Sequence, residues 1–119
     1  MKKILLVEDD PFLVDIYTTK FKEAGFEVDV ATDGEMALAK TKEASIDLVI
    51  LDIVLPQMDG WEILKEIKEI KKFLPVIILS NLSQPAEVEK GLQLGAIKYL
   101  IKAHYTPSEV VEEIKKVLK

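Results

Sequence analysis

The segment LVILDIVLPQMDG, residues 48–60, decides the fold. Its first four residues, Leu48 to Leu51, are apolar and include β-branched side chains, as is typical of a strand covered on both faces. Ile4 to Val7 and Val76 to Leu79 have the same character, so the sequence predicts three central strands. Asp52 then places a carboxylate inside an otherwise apolar run, and burying a charge without a partner is costly. We therefore predict a functional role for Asp52.

Two further segments are predicted to be edge strands. Phe26 to Val30 alternates apolar with acidic residues, the pattern of a strand with one exposed face. Ile97 to Ile101 is apolar except for Lys98 and suits the opposite edge. Helical patterns fall between the strands, over Pro11 to Ala24, Asp33 to Ala44, Trp61 to Lys72, Pro85 to Leu94 and from Pro107 onwards.

Several of these helices begin at sequences that favour capping. Asp10 precedes Pro11, which reads as an N-cap followed by proline at the first helical position. Asp59 is the predicted N-cap of the third helix. Thr106 and Glu109 have the spacing of a capping box. These local signals support the predicted helix starts.

The order of these elements predicts an α/β fold. Five strands that alternate with five helices imply right-handed crossovers and a doubly wound parallel sheet. Placing the second strand at an edge gives the order 2-1-3-4-5, the flavodoxin-like (βα)5 arrangement. We expect residues 1–119 to form a single domain. In such sheets ligands bind beyond the carboxyl ends of strands one and three.

The composition excludes several classes of protein. The formal net charge of -5 argues against direct binding to nucleic acid or to an anionic membrane. The chain has no cysteine, which excludes disulfides and thiolate metal sites and fits a cytoplasmic location. No apolar run approaches the roughly 20 residues of a membrane span. We therefore expect a cytoplasmic protein that binds neither DNA nor a membrane.

Carboxylates collect at the predicted ligand site. Strand one is followed by Glu8, Asp9 and Asp10, and strand three is followed by Asp52. Carboxylates that converge repel one another unless a cation lies among them. Oxygen-only ligation with few protein ligands is typical of Mg²⁺, which keeps open positions for phosphate oxygens. The sequence therefore predicts a Mg²⁺ site here, with Asp10 acting only as a helix cap.

Two other polar residues follow strands on the same edge of the sheet. Ser80 ends the fourth strand and Lys102 follows the fifth. Together they offer a hydroxyl and a fixed positive charge that could neutralise the oxygens of a phosphoryl group. Taken singly, each also has a simpler interpretation, Ser80 as a turn residue and Lys102 as a surface lysine.

Four segments resemble the signature of bacterial receiver domains of two-component response regulators. They are LLVEDDP at residues 5–11, LVILDIVLPQMDG at 48–60, VIILS at 76–80 and YLIK at 99–102. Each motif is weak by itself, but their order and spacing cover essentially the whole chain. The fold that this resemblance implies is the one that the strand pattern predicts.

The resemblance implies a phosphorylation site and its metal ion. Asp52 would receive a phosphoryl group from a phosphohistidine of a sensor histidine kinase or a phosphotransfer protein. Asp9, Asp52 and the main-chain carbonyl of Val54 would bind Mg²⁺ directly, and Glu8 would act mostly through water. The chain would then be a signalling switch that catalyses only its own phosphorylation and dephosphorylation.

The resemblance also implies how the switch is read. Ser80 would bond one phosphoryl oxygen and Lys102 would pair with another. Tyr99 matches the aromatic switch, whose ring moves inward as the hydroxyl is drawn to the phosphate, although an ordinary strand aromatic is a serious alternative. A downstream effector would bind the face formed by helix 4, strand 5 and helix 5.

Three positions depart from the family pattern. Winged-helix transcription factors usually carry an acidic pair where this chain has Ile97 and Lys98, so we expect a monomer or a weak dimer. Asn81 stands where a small residue is usual and is expected to narrow the site or tune the lifetime of the phosphoryl group. Ala103 replaces the usual proline after Lys102, which predicts a different loop geometry or a strained peptide bond.

Other functions fit the residues less well. A haloacid-dehalogenase-like phosphatase would need a D-x-D pattern, and Val54 occupies its second acidic position. A flavodoxin-type cofactor binder would need a Gly/Ser/Thr-rich loop where Glu8, Asp9 and Asp10 lie. The alternative that stays open is a receiver-like interaction module in which phosphorylation is impaired or lost.

Overall fold

Five parallel strands form one sheet in the computed structural model, which describes residues 1–118 of the chain. The strands are β1 (Lys3–Val7), β2 (Glu27–Ala31), β3 (Leu48–Leu51), β4 (Val76–Ser80) and β5 (Lys98–Ile101). Their order across the sheet is β2-β1-β3-β4-β5, so the predicted flavodoxin-like topology is confirmed. Lys119, the last residue of the predicted domain, lies outside the described residues.

The helices lie on both faces of the sheet, as a doubly wound fold requires. They are α1 (Pro11–Glu23), α2 (Gly34–Thr41), α3 (Gly60–Ile70), α4 (Pro85–Gln93) and α5 (Pro107–Val117), and a 3₁₀ turn at Lys102–His104 connects β5 to α5. Among residues 1–118 no helix is long and apolar enough to cross a membrane.

Alternate residues of each central strand enter two separate cores, because successive side chains of a strand point to opposite faces. In β1, Leu5 and Val7 pack with α2 and α3, whereas Ile4 and Leu6 pack with α1 and α5. All four side chains are at most 1% exposed, and full burial of such a side chain contributes about 1.5–3 kcal/mol. The continuous apolar runs that predicted these strands therefore reflect helices on both faces.

The predicted helix caps are present. The Asp10 side chain accepts hydrogen bonds from the backbone N–H groups of Phe12 and Leu13, at 2.9 and 3.5 Å. Asp59 accepts one from the Trp61 N–H at 3.0 Å. At the start of α5, the side chains and backbone N–H groups of Thr106 and Glu109 bond each other reciprocally. Each such cap stabilises its helix by about 1 kcal/mol.

Several element bounds differ from those predicted. β2 begins one residue later than predicted and also ends one residue later, at the fully buried Ala31. The alternation of apolar and acidic residues stops at Val30, so it does not indicate where the strand ends. α2 ends at Thr41, before the predicted Ala44, and the Thr41 hydroxyl bonds back to the Ala37 carbonyl. α3 ends at Ile70 because Lys71 leaves the helical region, with φ of -138° and ψ of 90°.

For the loop after β5, Ala103 predicted either a different geometry or a strained peptide bond. All peptide bonds within residues 1–118 are trans, so the strained-bond alternative does not apply. The chain instead forms a single 3₁₀ turn over Lys102–His104, closed by a hydrogen bond from the Tyr105 N–H to the Lys102 carbonyl. Lys102 is thus the first residue of a turn at the carboxyl edge of the sheet.

Candidate functional site

The carboxyl ends of β1 and β3 meet at the centre of the sheet. Val7 pairs with Leu51 in the parallel register, so the residues that follow them are neighbours. The Asp52 N–H donates to the Val7 carbonyl at 3.0 Å, and the Glu8 N–H donates to the Ala31 carbonyl at 3.0 Å. These backbone bonds extend the sheet by one residue and fix where both acidic side chains begin.

Three carboxylates converge at this point. Glu8, Asp9 and Asp52 each place an oxygen within 4.8 Å of the other two. Glu8 is 2% exposed and Asp52 is 5% exposed, whereas Asp9 lies at the surface. The two buried carboxylates need a compensating positive charge, because an unpaired buried charge is strongly destabilising.

Lys102 supplies that charge. Its Nζ atom donates to Glu8 Oε1 at 2.6 Å and to Asp52 Oδ2 at 2.7 Å. The Lys102 side chain is itself 11% exposed, so this bridge is shielded from solvent on most sides. The lysine at the start of the 3₁₀ turn is therefore directed into the acidic cluster.

The remaining oxygens of the two buried carboxylates bind backbone N–H groups. Glu8 Oε2 accepts from the Asp9 and Asp10 N–H groups at 3.1 and 3.2 Å. Asp52 Oδ1 accepts from the Val54 N–H at 3.0 Å. Each carboxylate is thus held at both oxygens, which preorganises the group without any further ligand.

Burial and hydrogen bonding shift the pKa values of the site in opposite directions. Burial raises the pKa of Glu8, and the hydrogen bond from Lys102 offsets only part of that effect. Burial alone would lower the pKa of Lys102, but its hydrogen bonds to Asp52 and Glu8 outweigh this and raise the pKa. The two hydrogen bonds to carboxylates therefore favour the charged form of Lys102.

An open pocket of about 340 Å³ leads to the cluster. Its lining has a mainly acidic character, with one ammonium and one carboxamide. The lining residues are Glu8, Asp9, Asp10, Leu13, Asp52, Val54, Asn81 and Lys102. A ligand that enters this pocket therefore meets the acidic oxygens and the lysine together.

Ser80 and Tyr99 lie beside this pocket rather than in its lining. Ser80 is fully buried at the end of β4, and its Oγ atom accepts a hydrogen bond from the Leu82 N–H at 3.3 Å. The Tyr99 hydroxyl donates to the Leu82 carbonyl at 2.7 Å, and burial raises the pKa of this phenol. Ser80 pairs with Ile101, the residue before Lys102, so it lies one step from the site.

The comparison with known proteins decides the family. Residues 4–115 match the sequence profile of the response regulator receiver domain. The chain belongs to this family. The family and the fold that the sequence motifs implied are therefore confirmed, and a receiver domain of two-component response regulators is a phosphoacceptor switch.

Relatives and solved structures agree with this assignment. The chain is 35% identical over 118 residues to the alkaline phosphatase synthesis transcriptional regulatory protein PhoP of Bacillus subtilis. This match covers 99% of the chain and 49% of PhoP. It is 38% identical over 117 residues to the probable transcriptional regulatory protein SilR of Salmonella typhimurium, and this match covers 98% of the chain and 51% of SilR. The receiver domain thus spans about half the length of these relatives.

Its structure is similar to that of a chemotaxis protein. The chemotaxis protein CheY4 of Vibrio cholerae superposes with a TM-score of 0.90 and 31% sequence identity, and the match covers 98% of both chains. The resemblance is therefore to the whole receiver fold.

The acidic cluster of this receiver domain fits a hard divalent cation. Receiver domains bind Mg²⁺ at such a cluster, and the donors here are carboxylate oxygens from Glu8, Asp9 and Asp52. Mg²⁺ prefers oxygen ligands and usually takes only a few of them from the protein. The exposed carboxylate of Asp9 leaves one side of the cluster open to the pocket.

Three features of the site were not predicted from the sequence. The direct bond between Glu8 and Lys102 joins residues 94 positions apart, and no local pattern indicates it. Asp10 lines the pocket in addition to capping α1, although the sequence indicated only the cap. Leu13 also lines the pocket, because its position on the first turn of α1 faces the carboxyl edge of the sheet.

Proposed function

We propose that Asp52 is the phosphoryl acceptor of this receiver domain and that its function depends on Mg²⁺. The observation that carries the proposal is the bridge from Lys102 to Asp52 and Glu8 at the floor of an open acidic pocket. A buried carboxylate, a lysine ammonium and further carboxylate oxygens lie within one small volume there, which supports their proposed roles as nucleophile, fixed positive charge and metal ligands.

The chemistry follows from these groups. An Asp52 carboxylate oxygen attacks the phosphorus of a phosphohistidine in line with the leaving nitrogen. The new oxygen–phosphorus bond forms as the nitrogen–phosphorus bond breaks, and the electron pair stays on the imidazole nitrogen. Lys102 exchanges its bond to Asp52 Oδ2 for one to a phosphoryl oxygen, which keeps its charge paired.

The metal would be held by the residues around the cluster. Asp9, Asp52 and the Val54 carbonyl are the proposed direct ligands, with Glu8 acting through water. A bound Mg²⁺ would neutralise charge on the phosphoryl oxygens. The donor would be a sensor histidine kinase or a phosphotransfer protein, and we propose that residues 1–119 form one cytoplasmic receiver domain.

The output is proposed to pass through Ser80 and Tyr99. A hydrogen bond from Ser80 to a phosphoryl oxygen would shift the loop that includes Leu82, to which both Ser80 and Tyr99 are bonded. Such a switch needs a bias of only a few kcal/mol. An effector would then bind the surface of α4, β5 and α5, with the receiver domain itself a monomer or a weak dimer.

Intact mass measurement tests the phosphoryl acceptor directly. The chain is incubated with Mg²⁺ and acetyl phosphate, and we expect a gain of one phosphoryl group. Asp52→Asn should abolish the gain, because its amide is not a nucleophile, and chelation of Mg²⁺ should suppress it. Asp15→Asn is the matched control, since Asp15 is an exposed acid of α1 outside the pocket. A parent chain that stays unmodified with every donor would leave only an interaction module.

Thermal melting tests the metal ligands separately. Mg²⁺ should raise the melting temperature by mass action, because it binds the folded chain. Asp9→Asn should lose most of this increase, whereas Asp15→Asn should keep it. An equal response of both variants would contradict the assignment of Asp9 as a ligand.

A further inference from the structure

The outer edge of β2 is the feature that carries a further inference. β2 is the first strand in the order of the sheet, and its neighbour is β1. The edge of a sheet presents backbone N–H and C=O groups to which a strand of another chain can add. Natural proteins commonly block such edges with charged side chains, lysine above all. The contacts along β2 show how this edge is occupied.

The pairing with β1 decides which backbone groups of β2 face outwards. The Glu27 N–H donates to the Lys2 carbonyl at 2.9 Å, so the backbone groups of Glu27 face β1. Along a strand, the N–H and C=O groups of successive residues point to opposite edges. Alternate residues from Glu27 onwards therefore face β1, whereas Val28 and Val30 direct their backbone groups to the outer edge.

Both outward groups of Val30 are bonded to charged side chains. The Val30 N–H donates to Asp29 Oδ1 at 3.0 Å, and the Val30 carbonyl accepts from Lys40 Nζ at 2.9 Å. Lys40 Nζ also donates to the same Asp29 oxygen, at 2.5 Å. Asp29 and Lys40 thus form a closed set of bonds around one edge residue, which we call the β2 clip.

The β2 clip is partly shielded from solvent. The side chains of Lys40 and Asp29 are 27% and 24% exposed. Burial alone would raise the pKa of Asp29, but the hydrogen bond from Lys40 outweighs this effect and lowers the pKa. The pairing therefore favours the charged form of Asp29, which is the form that accepts both bonds.

We propose that the β2 clip closes this edge of the sheet against pairing with a second copy of the chain. With the clip in place, at most Val28 remains for pairing, and one residue does not form a ladder of hydrogen bonds. Without it, Val28 and Val30 both present an N–H and a C=O group, at the spacing of two residues that an antiparallel ladder uses.

The pairing that the clip prevents is antiparallel and self-complementary. With a two-fold axis at Asp29, Val28 of one copy lies opposite Val30 of the other, and such a pair exchanges both of its hydrogen bonds. The two-fold axis repeats this contact, as in other closed dimers. It also places the two Asp29 carboxylates opposite each other, where like charges are destabilising. Asp29 therefore opposes the pairing by charge as well as by its bond to Val30.

The experiment removes the clip and measures the mass of the protein in solution. The double variant Asp29→Ala with Lys40→Met loses all three bonds of the clip. Its mass by light scattering should rise with concentration from that of one chain to that of two, whereas the mass of the parent chain should not. The matched control is Glu27→Ala with Lys42→Met, which makes the same change in composition and charge at two exposed residues.

Hydrogen exchange locates the contact. In dilute solution the Val30 amide of the double variant should exchange faster than in the parent chain, because its acceptor on Asp29 is gone. As the concentration rises, the amides of Val28 and Val30 should both become protected. Lys40→Met alone is the milder variant. It frees the Val30 carbonyl but keeps the Asp29 carboxylate, so it should associate only at higher concentration than the double variant.

Three results would overturn the inference. The first is a folded double variant that keeps the mass of one chain at every concentration, or, if that variant does not fold, the same result for Lys40→Met. The second is association that leaves the amides of Val28 and Val30 unprotected, which would place the contact on another face. The third is equal association of the Glu27 and Lys42 control. These measurements involve no phosphorylation, so none of the results bears on the proposed function.

Discussion

Helices α3 and α4 cover the same face of the sheet but are packed very differently. Four residues of α3 are buried, Gly60, Ile63, Leu64 and Ile67, whereas Gly91 is the one buried residue of α4. Elements with few buried contacts open at the lowest free energy. The acidic site lies between the two regions, with Asp52 on the firmly packed side and the Ser80–Leu82 segment leading into the loosely packed one. The proposed acceptor Asp52 thus lies beside a firmly packed helix on one side and a helix with fewer buried residues on the other.

The strongest test of this difference is at the start of α3. A Cβ atom on Gly60 would overlap the backbone of Ile53, which cannot move without displacing the segment after Asp52. Gly60→Ala should therefore lower the free energy of unfolding by on the order of 4 kcal/mol or more. Urea denaturation measures this loss of unfolding free energy. Gly25→Ala is the control, because Gly25 has open space and only a positive φ of 95°, which costs about 1 kcal/mol. Equal losses would contradict the proposed overlap.

A pair of leucines compares the two helices directly. Leu64 of α3 is fully buried, whereas Leu92 of α4 is 46% exposed. Leu64→Ala should destabilise the chain by about 3 kcal/mol through lost burial and a residual cavity. Leu92→Ala should stay within about 0.5 kcal/mol of the parent, as is usual for surface substitutions. Similar losses for both leucines would show that α4 is packed as firmly as α3.

A contact between Lys90 and Trp61 connects the two helices. The Lys90 Nζ atom lies 4.9 Å from the centre of the Trp61 ring, and Trp61 is half-buried at the start of α3. Lys90→Met should lower the free energy of unfolding by about 0.5–1 kcal/mol and change the emission of Trp61. The control is Lys65→Met, an exposed lysine of α3. Unchanged emission in Lys90→Met would argue against this contact in solution.

The smallest expected effect is a pH dependence on the β5–α5 side. Hydrogen bonds from Lys98, at 2.7 Å, and from Lys116 hold the pKa of Glu113 below its usual 4.5. Because the folded pKa is lowered, this stabilisation is present above pH 4.5 and is lost as the pH falls through the folded pKa. Lys98→Met should therefore make the free energy of unfolding depend less on pH in this acidic range, with a change of less than about 1 kcal/mol.

Urea denaturation at a series of pH values checks this prediction. Lys115→Met is the control, because Lys115 pairs with Glu112 at 3.9 Å and both side chains are more than half exposed. A curve that keeps its slope in Lys98→Met would contradict the pairing of Lys98 with Glu113.

Much of the fold could be predicted from the sequence because its signals are local. The apolar runs of β1, β3 and β4 and the cap at Asp10 each depend on neighbouring residues only. The end of α2 at Thr41 was not predicted, since the sequence from Lys42 to Ala44 carries no glycine or proline to mark a helix end. The predicted exposed face of β2 is also only partly exposed, because Lys40 of α2 covers it and pairs with Asp29.

The sequence predicted which residues lie at the site, because they follow strands of the sheet. It did not predict the hydrogen bonds between them. The topology alone brings Glu8, Asp9 and Asp52 together, because β1 and β3 are neighbours. The direction of Lys102 depends on a 3₁₀ turn for which the sequence Lys-Ala-His carries no distinctive signal. The roles of Ser80, Tyr99 and Val54 stay predictions, since they concern a phosphorylated, metal-bound state.

The bridge between Lys102 and Glu8 has a consequence for biosynthesis. It joins the first strand of the sheet to the residue that follows the last one, 94 positions further along the chain. A ribosome must therefore synthesise residues 8 to 102 before the buried acids acquire their counter-charge. Any chemistry that relies on this ammonium begins only when the fifth strand has docked. A chain that ends before Lys102 therefore lacks that chemistry.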